Sequence, residues 1–70
     1  MRIISQDKNN SIDFTRAHIW KQYRCIYGCV ENKNIFLGNY ATDERALEVF
    51  LDIHKSSHSP HVHEYYMPDK

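Results

Sequence analysis

No apolar run in this 70-residue chain approaches the about 20 residues that a membrane-spanning helix requires, so no such span is expected. Neither sign of charge is in surplus. Nine Lys and Arg balance nine Asp and Glu, and the five His are mostly uncharged at neutral pH, so no global field steers the chain to nucleic acid. The opening Met1-Arg-Ile-Ile-Ser-Gln-Asp7 has neither the apolar core nor the small-residue cleavage site of a secretory signal, and the cytoplasm is the expected compartment. Cysteine is scarce. Cys25 and Cys29 stand at C-x3-C spacing with no export signal, which points to reduced thiols acting as packing residues rather than to a disulfide framework. Also missing are a Gly-rich nucleophile turn, a phosphate loop and a His-Glu-x-x-His pattern. No catalytic residue and no cofactor is therefore assigned, and the chain is expected not to be an enzyme.

What is present is enough for one domain. A chain of this length buries only about 60% of the surface that it exposes when unfolded. Without disulfides or metal such domains often gain stability by association, so a homodimer or a tight complex with a larger partner is expected.

Arg2 to Ser5 reads as a short strand ended by the turn formers Asp7-Lys8-Asn9-Asn10. A second extended piece, Ser11 to Phe14, places Ile12 and Phe14 on one face. From Ala17 to Val30 β-branched and aromatic residues dominate, and Lys21-Gln22 is the expected tight turn dividing two strands. Glu31-Asn32-Lys33-Asn34 is a connection of hairpin length, followed by a strand over Ile35 to Tyr40.

Thr42 occupies an N-cap position ahead of Asp43 and Glu44, whose charge suits the positive helix end. Ala46, Val49, Phe50 and Ile53 then recur at helical spacing, with Leu47 and Leu51 widening the stripe, and Pro60 stops the helix after Ser56. His61 to Met67 alternates as a last, edge strand ended by Pro68. The expected fold is α+β: a small antiparallel sheet of four to six short strands, one amphipathic helix over about 43–56 on one face, and a C-terminal edge strand.

Several of these segments also carry a resemblance. Met1 to Asp7, Ile12-Asp13, Leu37-Gly38-Asn39-Tyr40, Thr42-Asp43-Glu44-Arg45-Ala46-Leu47 and Tyr65-Tyr66-Met67-Pro68-Asp69 together resemble a set of short proteins encoded by phages and prophages of low-GC Gram-positive bacteria. The pattern has Gly after Asp7, where this chain has Lys8-Asn9-Asn10, and it lacks the histidine-rich stretch from Ser57 to His63. The resemblance carries no assigned chemistry. It implies genomic context: such proteins are often antagonists of host defence or adaptors that redirect host enzymes.

Three constellations compete with plain packing. Cys25, Cys29, His54 and His58, with His61 and His63 nearby, have ligand types that suit zinc. Four residues along a strand span about 13 Å, so the two thiols stand too far apart for one ion, and no metal ligand is assigned. Trp20, Tyr23, Tyr27 and Tyr40 interleaved with Lys21 and Arg24 look like a base-stacking sheet, which the balanced charge disfavours. Arg2, Arg16, Arg24, His61 and His63 offer phosphate donors for a sponge that sequesters a nucleotide immune signal between protomers.

The preferred reading is protein–protein recognition. Trp20, Tyr23, Arg24, Tyr27, His61, His63, Tyr65 and Tyr66 are the candidate partner-binding residues, because aromatics and Arg dominate interface hot spots and an edge strand invites pairing. The expected partner is a host defence protein, inhibited by stoichiometric binding.

Overall fold

Thr42 caps the single helix: its Oγ1 accepts the Arg45 backbone N–H at 3.0 Å while its own backbone is extended. The structure, a computed structural model, describes residues 1–70. The helix, α1, runs Asp43–Ser57, one residue beyond the expected end, and buries Ala46, Val49 and Ile53 with Phe50 alongside. Leu47 and Leu51 do not widen the buried stripe. They are 46% and 57% exposed, because the covered arc of α1 is narrower than its apolar composition suggests.

The strands are β1 (Arg2–Ile4), β2 (Ser11–Asp13), β3 (His18–Gln22), β4 (Cys25–Val30), β5 (Lys33–Asn39) and β6 (Glu64–Tyr66), with a 3₁₀ turn at Phe14–Arg16. The α+β class, the six short strands and the edge position of β6 agree with the sequence reading. The strands form two three-stranded sheets rather than one, in the orders β2-β1-β6 and β3-β4-β5. Within the first sheet β6 lies parallel to β1, with Ile3 opposite Tyr65. It is also shorter than the expected His61 to Met67 strand. Val62 closes a turn on the Ser59 carbonyl, and the chain enters the sheet only where the Arg2 N–H donates to the His63 carbonyl at 2.9 Å.

The second sheet consists of two tight hairpins. Glu31 and Asn32 both take positive φ (52° and 67°), the pair of values that a two-residue type I′ turn needs, so β5 starts at Lys33. The turn between β3 and β4 falls at Tyr23-Arg24, not Lys21-Gln22, with Tyr23 at φ 54°. Lys21 stays in the strand on the inner face. Its ammonium reaches both the Tyr23 carbonyl and the Asp43 carboxylate at the start of α1, a partner 22 residues away.

Ile3, Ile12, Ile26, Leu37, Tyr40, Ala46, Val49, Ile53, Tyr65 and Met67 make one core between the sheets and the helix. Gly28 lets the sheets approach closely: a Cβ there would stand 2.5 Å from Ile12 Cδ1, so the Ile12 side chain would have to shift to admit one. The register of β4 and β5 shifts between Ile26 and Tyr27, leaving Leu37 as a bulge residue. Gln6 covers that point: its N–H donates to the Leu37 carbonyl at 2.7 Å and its Oε1 accepts the Asn39 N–H at 2.9 Å. Its Nε2 donates to the carbonyls of Asn39, Pro68 and Asp69, tying the C-terminal tail to β5.

The turn between β1 and β2 places Lys8 at φ 64°. A side chain in left-handed backbone costs about 1–2 kcal/mol. Ser5 holds the turn by donating to Asp7 Oδ1 at 2.5 Å and accepting the Asn10 N–H at 3.0 Å. Lys8→Gly is expected to raise stability by about 0.5–1 kcal/mol, the strain relief less the backbone entropy of Gly. The exposed Lys8–Asp69 ion pair that it removes contributes little. A urea midpoint that falls in the variant would contradict this account.

Tyr40 and Tyr65 link the core to alkaline stability. The Tyr65 hydroxyl donates to Asp52 Oδ2 at 2.7 Å and the Tyr40 hydroxyl to the Pro68 carbonyl at 2.9 Å. Burial pushes the Tyr40 pKa up to about 12. Burial and then the hydrogen bond to Asp52 raise that of Tyr65 still further. Both pKa values are raised on folding, so their stabilisation is complete below the unfolded value of 10 and is lost as pH climbs through the folded values. Urea midpoints should hold up to about pH 10 and fall beyond it, with a shallower fall in Tyr65→Phe; identical slopes in the two proteins would refute the linkage.

Candidate functional site on the outer face of the second sheet

Alternation along β3, β4 and β5 sends Ile19, Lys21, Ile26, Gly28, Val30, Ile35 and Leu37 toward the core side. The opposite face carries His18, Trp20 and Gln22 from β3, Cys25, Tyr27 and Cys29 from β4, and Asn34, Phe36 and Asn39 from β5. No other element of the chain is layered on it. The helix and the first sheet both pack on the inner side.

Four aromatic rings run across this face. His18 stacks on Trp20 at 5.7 Å between centroids and 25° between planes, and Trp20 stacks on Tyr27 at 5.5 Å and 21°. Tyr27 meets Phe36 edge to face at 5.7 Å and 68°. Each ring is placed by register: Trp20 lies directly opposite Tyr27, and Tyr27 directly opposite Phe36, so the cross-strand pairs bring the rings together. Stacked and T-shaped pairs of this kind add about 0.5–1.5 kcal/mol each beyond their buried area, which holds the rings as one pre-ordered surface.

The face contains no Asp, Glu, Lys or Arg. That composition decides what it can bind. A groove that tracks single-stranded nucleic acid combines stacking rings with cations for the phosphates, and here the rings stand without the cations. An uncharged aromatic patch bounded by Gln and Asn matches the core and rim of a protein interface, where charge is depleted and aromatics are enriched.

Of the eight candidate partner-binding residues, the structure brings Trp20 and Tyr27 together on this face. Tyr23 (79% exposed) and Arg24 sit in the adjoining hairpin turn, at the edge of the face rather than on it. Arg24 therefore does not share a strand face with Trp20, since β3 ends at Gln22. Tyr65 is 8% exposed and bonded to Asp52, which makes it a core residue and removes it from any contact surface. Tyr66 is exposed on the outer side of the first sheet, and His61 and His63 are exposed in the segment leading into β6. Tyr40, considered above as a stacking residue, is buried.

His18 and Phe36 belong to the face although the sequence did not single them out. The signal was available in the pairing: with Trp20 and Tyr27 outward, strict alternation puts His18 beside one and the register of β5 puts Phe36 beside the other.

Nowhere in the chain do three or more His, Cys, Asp or Glu side chains come together. Cys25 and Cys29 share the aromatic face, whereas His54 is turned into the helix, with Nδ1 2.8 Å from the Phe50 carbonyl and its ring packed against Phe14 and Phe50. No helix is long and apolar enough to cross a membrane. Among the phosphate-donor candidates, Arg2 and Arg16 line one shallow cavity.

Fold and face together define a small α+β domain that presents a sheet surface of packed aromatic rings without Asp, Glu, Lys or Arg. Comparison with family models, with characterised proteins and with solved structures gives no match.

Proposed function

We propose that this is a small phage-encoded binding protein that inhibits a host anti-phage defence protein stoichiometrically, docking through the outer face of β3, β4 and β5. The observation that supports the docking mode is the uncharged ladder His18–Trp20–Tyr27–Phe36. Four rings already packed against one another lose little side-chain entropy on binding, so more of the contact energy is retained as affinity. The class of partner rests on the resemblance to short phage and prophage proteins, which supplies the context and identifies no residue. The protein acts by binding rather than catalysis, in the host cytoplasm. Its small core favours a homodimer as the free state.

Affinity capture from the host, followed by mass spectrometry, tests this reading. The wild-type chain should retain one defence protein at fixed stoichiometry, and Trp20→Ala should lose it. Tyr66→Ala, altered on the other sheet, should retain it. Capture that is indifferent to Trp20 would remove the aromatic face from the account.

A further inference from the structure

At the seam between the two sheets lies a cavity of about 270 Å³, just under the about 300–1,000 Å³ of pockets that hold drug-sized ligands. Its floor is apolar, formed by Ile12 of β2, Val30 of β4 and Ile35 of β5. Three cations, Arg2, Arg16 and Lys33, stand around it.

Lys33 is the informative residue. It pairs with Val30 and so shares the core-side alternation of the second sheet, as Lys21 does at the other end. Lys21 is explained by its bond to Asp43, whereas Lys33 belongs to none of the three ion pairs of the chain. Arg2 is already oriented: its Nε donates to Ser11 Oγ at 2.8 Å and a terminal nitrogen to the Ser11 carbonyl at 3.1 Å.

Two carboxylates also line the cavity, and each is accounted for. Asp13 accepts the Thr15 N–H at 3.1 Å and the Thr15 hydroxyl at 2.9 Å. Glu31 reaches Arg16 at 3.5 Å in a pair whose two side chains are mostly exposed, a contact that a better anion can displace at little cost. The chain as a whole is neutral, so this positive surplus is local.

We propose that this cavity binds a small phosphate monoester, its phosphate held between Arg16 and Lys33 and its carbon body resting on Ile12, Val30 and Ile35. At neutral pH a phosphate monoester carries about −1.5 to −2 charges, which matches Lys33, in no ion pair, together with the Arg16 freed when Glu31 swings away. The guanidinium of Arg16 offers the planar fork that phosphate oxygens accept, and Lys33 supplies a point charge. A cavity of this size has room for a small monoester such as a sugar phosphate or a nucleoside monophosphate.

The test is amide chemical-shift titration of the full chain with AMP, ribose 5-phosphate, inorganic phosphate and adenosine. Both esters should shift amides of Ser11 to Arg16 and of Val30 to Ile35, with dissociation constants at or below about 1 mM. Adenosine should shift none of them, and inorganic phosphate should bind more weakly for want of a carbon body. Arg16→Met combined with Lys33→Met should weaken the esters at least about tenfold, roughly one lost charge-assisted contact, without altering the fold, because both residues are exposed. Glu31→Gln, which removes the competing carboxylate, should tighten them. Silence of these amides toward both esters, equal binding of inorganic phosphate, or an unchanged response in the double variant would each overturn the site. Trp20→Ala should leave the titration untouched, so this result and the fate of the aromatic face are read separately.

Discussion

Ile26→Ala is expected to lower the thermal midpoint by about 10–30 °C. Ile26 is fully buried on the central strand of the second sheet, flanked by Lys21 and Gly38 and facing the core that α1 closes. Truncating a buried Ile to Ala removes transfer energy and leaves a cavity, at a combined cost of about 2–5 kcal/mol. A domain of this length has roughly 4–10 kcal/mol in total, and each kcal/mol moves its midpoint by about 4–8 °C. The variant should therefore be partly unfolded near body temperature. Ile26→Val, which removes one methylene, should cost about 0.5–1.5 kcal/mol and remain folded. Calorimetry of the three proteins is the measurement. A drop of less than about 5 °C for the Ala variant would mean that the two sheets do not close over β4 as described.

Trp20→Ala is expected to separate binding from stability. Trp20 stacks between His18 and Tyr27 on the open face and is only partly buried, so its removal should cost the fold about 1–3 kcal/mol, about 0.5–1.5 kcal/mol for each of its two ring contacts. At a desolvated interface centre, loss of a Trp typically costs 2 kcal/mol or more, which is a weakening of about 30-fold or greater. The affinity of the captured partner, measured by calorimetric titration, should fall by at least that factor while the variant stays folded. Tyr66→Ala should leave affinity within a fewfold of wild type. Equal losses from the two variants would point to a general destabilisation and remove the special status of the ring ladder.

Local chemistry was legible in the residues, and long-range pairing was not. Thr42, the acidic first turn and the three-and-four spacing from Ala46 to Ile53 act within a few residues, and they place α1 to within one residue of its end. A hairpin connection within Glu31 to Asn34 was legible from equally local preferences, but its turn is only Glu31-Asn32, and Lys33 and Asn34, read as connection, begin β5. The parallel pairing of β1 with β6 joins residues about sixty positions apart, and nothing in the alternation of Val62 to Met67 specifies a partner or its direction. Lys21 read as a turn residue because its partner, Asp43, is supplied by another element. Tyr65 and Tyr66 are indistinguishable by composition. The register that sets Tyr65 opposite buried Ile3 turns it inward, where its hydroxyl meets Asp52 of the helix. The same limit applied to the face, where Trp20 and Tyr27 stood out as residues but became a surface only through the register that adds His18 and Phe36.

Gln6 has a consequence for how copies of this protein can pile up. By occupying the Leu37 carbonyl and the Asn39 amide, it interrupts the outer rim of β5, and the bulge at Leu37 further spoils that rim as a template for another chain. β3, at the opposite side of the same sheet, has no such guard along His18–Gln22. A sheet that can be extended from one side only ends its growth after a single addition: two copies joined through β3 would present only interrupted rims outward. This sheet can thus carry its four rings without the open-ended ladder growth that leads to fibres.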